Sequence, residues 1–310
     1  MRRKAIIFGV GGQDGYFLSE FLIKKNYSVI GVARNKKKIS NLNKLKKKIN
    51  IKIVSKLNYN FIKKIIKENK PKEIYFLIGQ SNSTISFNRP IETIHSNFNL
   101  ANYILEICRL YSPQTKFFNA SSSEIFGDSK KRVDENSLKN PKNPYALSKY
   151  LSLLCTQFYR ENFNLFACTG ILFNHESEIR QKNNIIKKIA NYLNKKKYYK
   201  QKLEVGNINI KRDWGWAPEY VRAMWLMLQQ KNPNDFIIAT GKTVSLKKVL
   251  EISFKIKNLK YKDFIHIKKI NFKKNEIKNV YSKPEKIFKK IKWKSNKKIN
   301  EILKILINKN

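Results

Sequence analysis

The stretch FFNASSSEIFG (117–127) starts as an apolar strand and ends in three hydroxyls and a carboxylate, Ser121 to Glu124. Such groups can hydrogen-bond a sugar and move protons on it. Further on, Tyr145 and Lys149 stand four apart, on one face of a helix. A lysine cation there can lower the phenol pKa and hold a nicotinamide ribose, so that Tyr145 exchanges a proton with a sugar hydroxyl. Simple oxidation of that hydroxyl needs a hydroxyl and a tyrosine but no extra acid. Glu124 therefore asks for a second proton step. Taken singly, each feature is commonplace, since strand-end carboxylates and YxxxK pairs are mostly solvated. Their order along the chain is what counts.

The third feature is Gly9-Val10-Gly11-Gly12-Gln13-Asp14-Gly15, where the first apolar run meets the first helical one. Glycines at this spacing let the backbone turn tightly and approach a pyrophosphate at a helix N-terminus. After the second strand comes Arg34 rather than an acidic residue. An acid there would hold a ribose 2′-hydroxyl, whereas an arginine accommodates a 2′-phosphate. This favours NADP(H) over NAD(H), against the plainer reading of a surface arginine. His175 reads as structural. Trp214, Trp216 and Trp225 read as packing, because Tyr220-Val221 and Met224-Trp225 have helical spacing.

The elements that must position these groups follow from periodicity. Strands are expected at KAIIFG (4–9), SVIGVA (28–33), IKIV (51–54), EIYFLI (73–78), KFFNAS and LFACTGI (165–171). Helical stretches fall between them, among them residues 91–111 and 144–161. This alternation predicts an α/β fold, a Rossmann-type doubly wound parallel sheet with a smaller C-terminal substrate-binding region. The expected division is 1–171, completed by roughly 207–245, for the cofactor domain, and 172–206 with 246–310 for the smaller region. In such a sheet ligands bind beyond the carboxyl ends of the strands, which is where residues 121–124 lie.

Hydrophobic residues make up 42% of the 310, a globular value that excludes a wholly disordered chain. No apolar run approaches the ~20 residues that span a bilayer, so no membrane partner is expected. The start MRRKAIIFG reads as a first strand, not a signal peptide. Three widely spaced cysteines, Cys108, Cys155 and Cys168, fit reduced cytoplasmic thiols, and neither they nor the histidines have metal-ligand spacing. The net charge of +43 suggests nucleic acid first. Yet it comes mainly from lysines scattered over nearly every surface segment, with arginine scarce, and Lys, Asn and Ile are over-used together. Compositional drift is the preferred explanation, and nucleic acid is not an expected partner.

With these residues in order, the chain resembles the GDP-mannose 4,6-dehydratase family of the extended short-chain dehydrogenase/reductases. The resemblance runs over most of the chain, through GQDG (12–15), LIGQSNSTISF (77–87), ASSSEIFG (120–127), NPYALSK (143–149), ACTGILFNHES (167–177) and KRDWGWAPEYVRAMWLMLQ (211–229). It implies a hydro-lyase that acts on a GDP-sugar with NADP. Tyr145 would deprotonate the hydroxyl at sugar carbon 4, Glu124 would take the hydrogen on carbon 5 as water leaves from carbon 6, and the hydride would return to carbon 6. Ser122 stands where the family usually has threonine, and Ser123 would be a further polar neighbour of the substrate. Gly9, Gly12, Gln13, Asp14, Gly15, Arg34, Gln80, Tyr145 and Lys149 would line the cofactor. Asn174 resembles a diphosphate ligand and Arg212 a nucleotide-side contact, with Lys273 and Glu276 in place of the family's Arg-Pro-x-Glu clamp. Departures include Phe8 for threonine, Ser55 for an acid, Asn82 for histidine and Glu178 for proline. A homodimer is the expected assembly, with a tetramer open. The open alternatives are a GDP-manno-heptose 4,6-dehydratase, a related epimerase or reductase, and a Rossmann module that only binds nucleotide or nucleic acid.

Overall fold

The computed structural model describes residues 2–195, 200–268 and 277–308, with the side chains of 36–38 left aside. Its centre is a seven-stranded, wholly parallel sheet: β1 (Lys4–Phe8), β2 (Ser28–Ala33), β3 (Asn50–Ile53), β4 (Glu73–Phe76), β5 (Lys116–Ser122), β6 (Ala167–Leu172) and β7 (Phe236–Ile238). The order across it is β7-β6-β5-β4-β1-β2-β3. The order reverses between β1 and β4, which opens a crevice at their carboxyl ends. The inner strands are continuous apolar runs because both faces are covered. On one face lie α1 (Gln13–Lys24) and α5 (Ala217–Leu228). On the other lie α2 (Tyr59–Asn69), α3 (Leu100–Tyr111) and α4 (Pro144–Phe163), packed through Ile62, Ile66, Ile104 and Tyr159.

The expected α/β class and doubly wound sheet are found, with strand ends moved by one or two residues. The seventh strand was not expected: three residues, Phe236–Ile238, are too few to show a period of their own. The single helix expected at 91–111 is broken. A short helix Pro90–Ile94 leads into one π turn, His95–Asn99, before α3 begins. That wider turn seats Asn97, whose amide donates to the Gln80 carbonyl at 3.0 Å.

A separate core cluster gathers Ile186 and Leu193 from the helix Ile185–Asn194, Val249 and Phe254 from Leu246–Lys255, and Ile302 and Leu306 from Ile299–Ile307. Trp214 and Trp216 join it from the strand Lys211–Trp216, which pairs with Thr243–Ser245 and Asn174–Glu176. Trp216 is thus a packing residue, as is Trp225 against Phe21, while Trp214 packs here and also borders the cavity described below. Among the described residues no helix is long and apolar enough to cross a membrane, and no group of three His, Cys, Asp or Glu side chains could hold a metal.

Candidate active site

A cavity of about 1170 Å³ opens over the crevice. One wall is the glycine turn. Gly9 has φ +98°, and a Cβ on it would sit 2.9 Å from the Ile78 backbone, while a Cβ on Gly15 would meet the Gly9 carbonyl at 2.4 Å. Only glycine lets β1, α1 and the end of β4 come this close. Gly12 caps α1 with no side-chain hydrogen bond, so the first amides of the helix face the cavity uncovered. Gly11, Gly12, Ala33, Arg34 and Asn41 line the same region. This cradle fits a dinucleotide pyrophosphate, with Arg34 beside the end of β2.

Gln13 and Asp14 also line the cavity, but their side chains are engaged. His175 Nε2 meets Asp14 Oδ1 at 2.9 Å, and its Nδ1 donates to the Phe173 carbonyl at 2.7 Å. Ser177 donates to Gln13 Oε1 at 2.7 Å. Burial pushes the Asp14 carboxyl up, but His175, Arg180 and the Gln13 amide outweigh it and leave the group below the ordinary carboxylate range. These contacts tie the cofactor turn to the FNHES segment. His175 also stacks on Tyr220 at 4.6 Å, and a Cβ on Gly215 would lie 2.3 Å from that ring. Glu176 is fully buried, with Arg180 at 3.7 Å, and burial raises its carboxyl.

The chemical end lies where β5 meets α4. Ser121 donates to the Lys149 carbonyl at 3.1 Å, and Lys149 Nζ donates to the Ala120 carbonyl at 2.8 Å, so strand and helix are stitched at their ends. Lys149 is 6% exposed, and burial lowers its ammonium to about 8, with Asp14 acting weakly the other way. Tyr145 is pushed up to about 12, first by burial and then by the Glu124 carboxylate, with Ser122 and Arg180 pulling it down. Without ligand, Tyr145 is therefore a neutral phenol at physiological pH. Ser122 Oγ accepts from the Glu124 amide at 3.3 Å, and Glu124 Oε2 accepts from Asn143 Nδ2 at 2.8 Å. Glu124 and Asn143 both line the cavity. Ser123 is buried beside them.

The far wall carries Asn174, Arg212, Trp214, Asn207 and Ile277. Arg212 donates to the carbonyls of Lys211 and Lys278, at 2.8 and 3.1 Å. Its neighbour Asp213 is buried and accepts from Thr240, Gly241 and Ser282. The aspartate of the RDWG segment thus fastens two segments, 240–241 and 282, to its own strand, and the arginine beside it lines the cavity. Gln80 is turned aside: its amide donates to the Asn82 carbonyl at 2.6 Å, while Gly79, Ser81 and Asn82 line the cavity. Lys273 and Glu276 lie outside the described residues.

Sequence reasoning missed two residues. Arg180 lines the cavity and acts on Asp14, Glu176 and Tyr145. Its one signal was an arginine three residues past Ser177. Asn143 is legible as a helix cap ahead of Pro144, but its bond to Glu124 spans two elements and leaves no local mark.

The family model described as GDP-mannose 4,6 dehydratase matches residues 6–306. The chain belongs to this family. It is 35% identical to GDP-mannose 4,6 dehydratase 1 of Arabidopsis thaliana over 322 residues, covering 99% of this chain and 89% of that one. With the GDP-mannose 4,6 dehydratase of Cricetulus griseus it shares 40% over 276 residues, covering 82% and 72%. In fold it is similar to the UDP-glucuronic acid 4-epimerase of Bacillus cereus, solved with UDP-glucuronic acid and NAD. That match has TM-score 0.87 and 16% identity, and covers 98% of both chains.

Proposed function

We propose that the chain is an NADP-dependent GDP-mannose 4,6-dehydratase, a hydro-lyase that forms GDP-4-keto-6-deoxymannose. What carries this reading is the Glu124 carboxylate on the cavity wall, next to Tyr145 and across from the glycine turn, in a chain of this family. An epimerase or reductase would need no acid there. The glycine turn and the amides of α1 would hold the pyrophosphate, Arg34 would take the 2′-phosphate, and Tyr145 and Lys149 would hold the nicotinamide ribose. A bound nicotinamide would supply the hydride chemistry, from carbon 4 and back to carbon 6.

The protein's own groups do the rest. Tyr145 takes the proton of the carbon 4 hydroxyl, so its phenol must first fall from about 12. Positive charge brought in by the ligand does this in a site where burial is the main opposing force. Ser122 donates to the developing ketone. Glu124 removes the now acidic hydrogen on carbon 5 and, as the acid so formed, lets the carbon 6 hydroxyl leave as water. The far wall, with Asn174 and Arg212, holds the diphosphate and nucleotide. We retain the two-part division, with 1–171, completed by roughly 207–245, as the cofactor domain and 172–206 with 246–310 as the smaller sugar-nucleotide region.

We place the enzyme in the cytoplasm as a homodimer. Leu147, Leu154 and Phe158 make an exposed apolar stripe along α4, close to Ile91, which is 83% exposed. Light scattering measures the assembly directly.

The deciding experiment incubates the protein with GDP-mannose and catalytic NADP+ or NAD+, following the mass of the sugar nucleotide. Loss of one water with no net reduced cofactor, faster with NADP+, is expected. A bound cofactor with no reaction would move the substrate to another GDP-sugar such as a manno-heptose. Neither binding nor reaction would leave a nucleotide-binding module.

A further inference from the structure

Asn143 uses both ends of its amide at once. It is buried at the N-cap of α4, where Oδ1 accepts from the Ala146 amide at 2.8 Å and Nδ2 donates to Glu124 Oε2, also at 2.8 Å. Serine or aspartate could cap the helix equally well, but neither combines the cap with this donor to a carboxylate. The Glu124 side chain has three rotatable bonds, and its backbone amide is already fixed on Ser122. Anchoring Oε2 removes most of the remaining freedom. Among the described residues Oε1 makes no hydrogen bond, which leaves it as the oxygen open to a ligand. The same residue begins the helix that carries Tyr145 two positions later, so the two proton-moving groups share one support.

We propose that Asn143 is a positioning residue for Glu124: it ties one carboxylate oxygen and leaves the other to carry the proton. It thereby sets the rate of water elimination and leaves the oxidation at carbon 4 alone. The inference rests on the dehydratase reading. In the step concerned, Oε1 takes the proton from carbon 5, and the electron pair of that C–H bond becomes the double bond between carbons 5 and 6. The C–O bond at carbon 6 breaks, and the hydroxide leaves as water with the proton that Glu124 has just acquired. Glu124 ends as the carboxylate it began as.

The test is Asn143→Ser, which keeps an oxygen at the N-cap and removes the donor. Single turnovers with GDP-mannose, followed by near-ultraviolet absorbance of the reduced cofactor and by mass, separate oxidation from elimination. We expect a thermal midpoint within about 2 °C of the parent, oxidation at the parent rate, and reduced cofactor that persists because elimination is slowed about 10-fold. Asn143→Asp keeps the cap and the size but sets a second carboxylate against Glu124, and should slow elimination further. Elimination at the parent rate in Asn143→Ser would overturn the proposal. So would equal slowing of both steps, the mark of a purely structural role. A parent enzyme that never reduces its cofactor with GDP-mannose would remove the dehydratase reading, and this inference with it.

Discussion

The two ends of the cavity are built differently. At the chemical end, β5 and α4 are joined by short bonds: Ser121 to the Lys149 carbonyl, Lys149 to the Ala120 carbonyl, and Asn143 to Glu124. At the other end, Arg212 and Asp213 draw together two stretches far from each other in the chain, 240–241 and 277–282. The first design fixes a few atoms on a rigid sheet. The second shapes a wall from segments that can change one at a time. On the proposed function, the contrast would put the proton chemistry at the sheet end and the choice of sugar nucleotide in the loops.

Four substitutions probe that contrast. The largest loss is expected from Tyr145→Phe, which removes the base proposed for the carbon 4 hydroxyl. Turnover should fall at least about 1000-fold with no reduced cofactor formed, as read by absorbance and product mass. Glu124→Gln should spare the oxidation and cut elimination by about 100- to 1000-fold, leaving reduced cofactor standing. If it turned over normally, the proton-abstraction role would be wrong. At the other end, Arg212→Ala should raise KM for GDP-mannose about 10- to 100-fold while kcat changes little, since the interaction is uniform binding. A fall in kcat of similar size would erase the distinction between the ends.

The smallest effect tests the junction between them. The Asp14 carboxyl is held below its ordinary value in the folded state, so the pair with His175 adds stability above the unfolded value, near pH 4, and loses it as pH falls through the folded one. Asp14→Asn should lower the thermal midpoint at neutral pH and flatten its decline between about pH 4 and 2. An unchanged slope in calorimetry would mean that another carboxylate drives the acid transition.

Much of this was legible before any coordinates. Six of the seven sheet strands and the glycine turn follow from apolar runs and punctuation, because a parallel sheet buried on both faces writes itself as unbroken hydrophobic stretches. Residues 121–124 and Tyr145 were readable for the same reason: sheet topology puts strand ends and the following helix together. What could not be read were amide contacts between distant elements. Asn97 looks like an ordinary helix residue and Asn143 like a helix cap, and only tertiary contact shows one holding the Gln80 carbonyl and the other holding Glu124. Nor does a sequence show that Gln13 and Asp14, in a cofactor motif, spend their side chains on Ser177 and His175.

The glycine of the RDWG segment has a consequence for how such a chain can drift. Gly215 leaves room for the ring of Tyr220, which in turn backs His175. Because Tyr220 is wholly buried, it cannot swing away to admit even a methyl at 215. Alanine at 215 becomes tolerable only in a lineage where residue 220 has already shrunk, whereas a smaller residue at 220 meets no clash with glycine at 215. The two positions are therefore contingent on history: the aromatic partner must yield first.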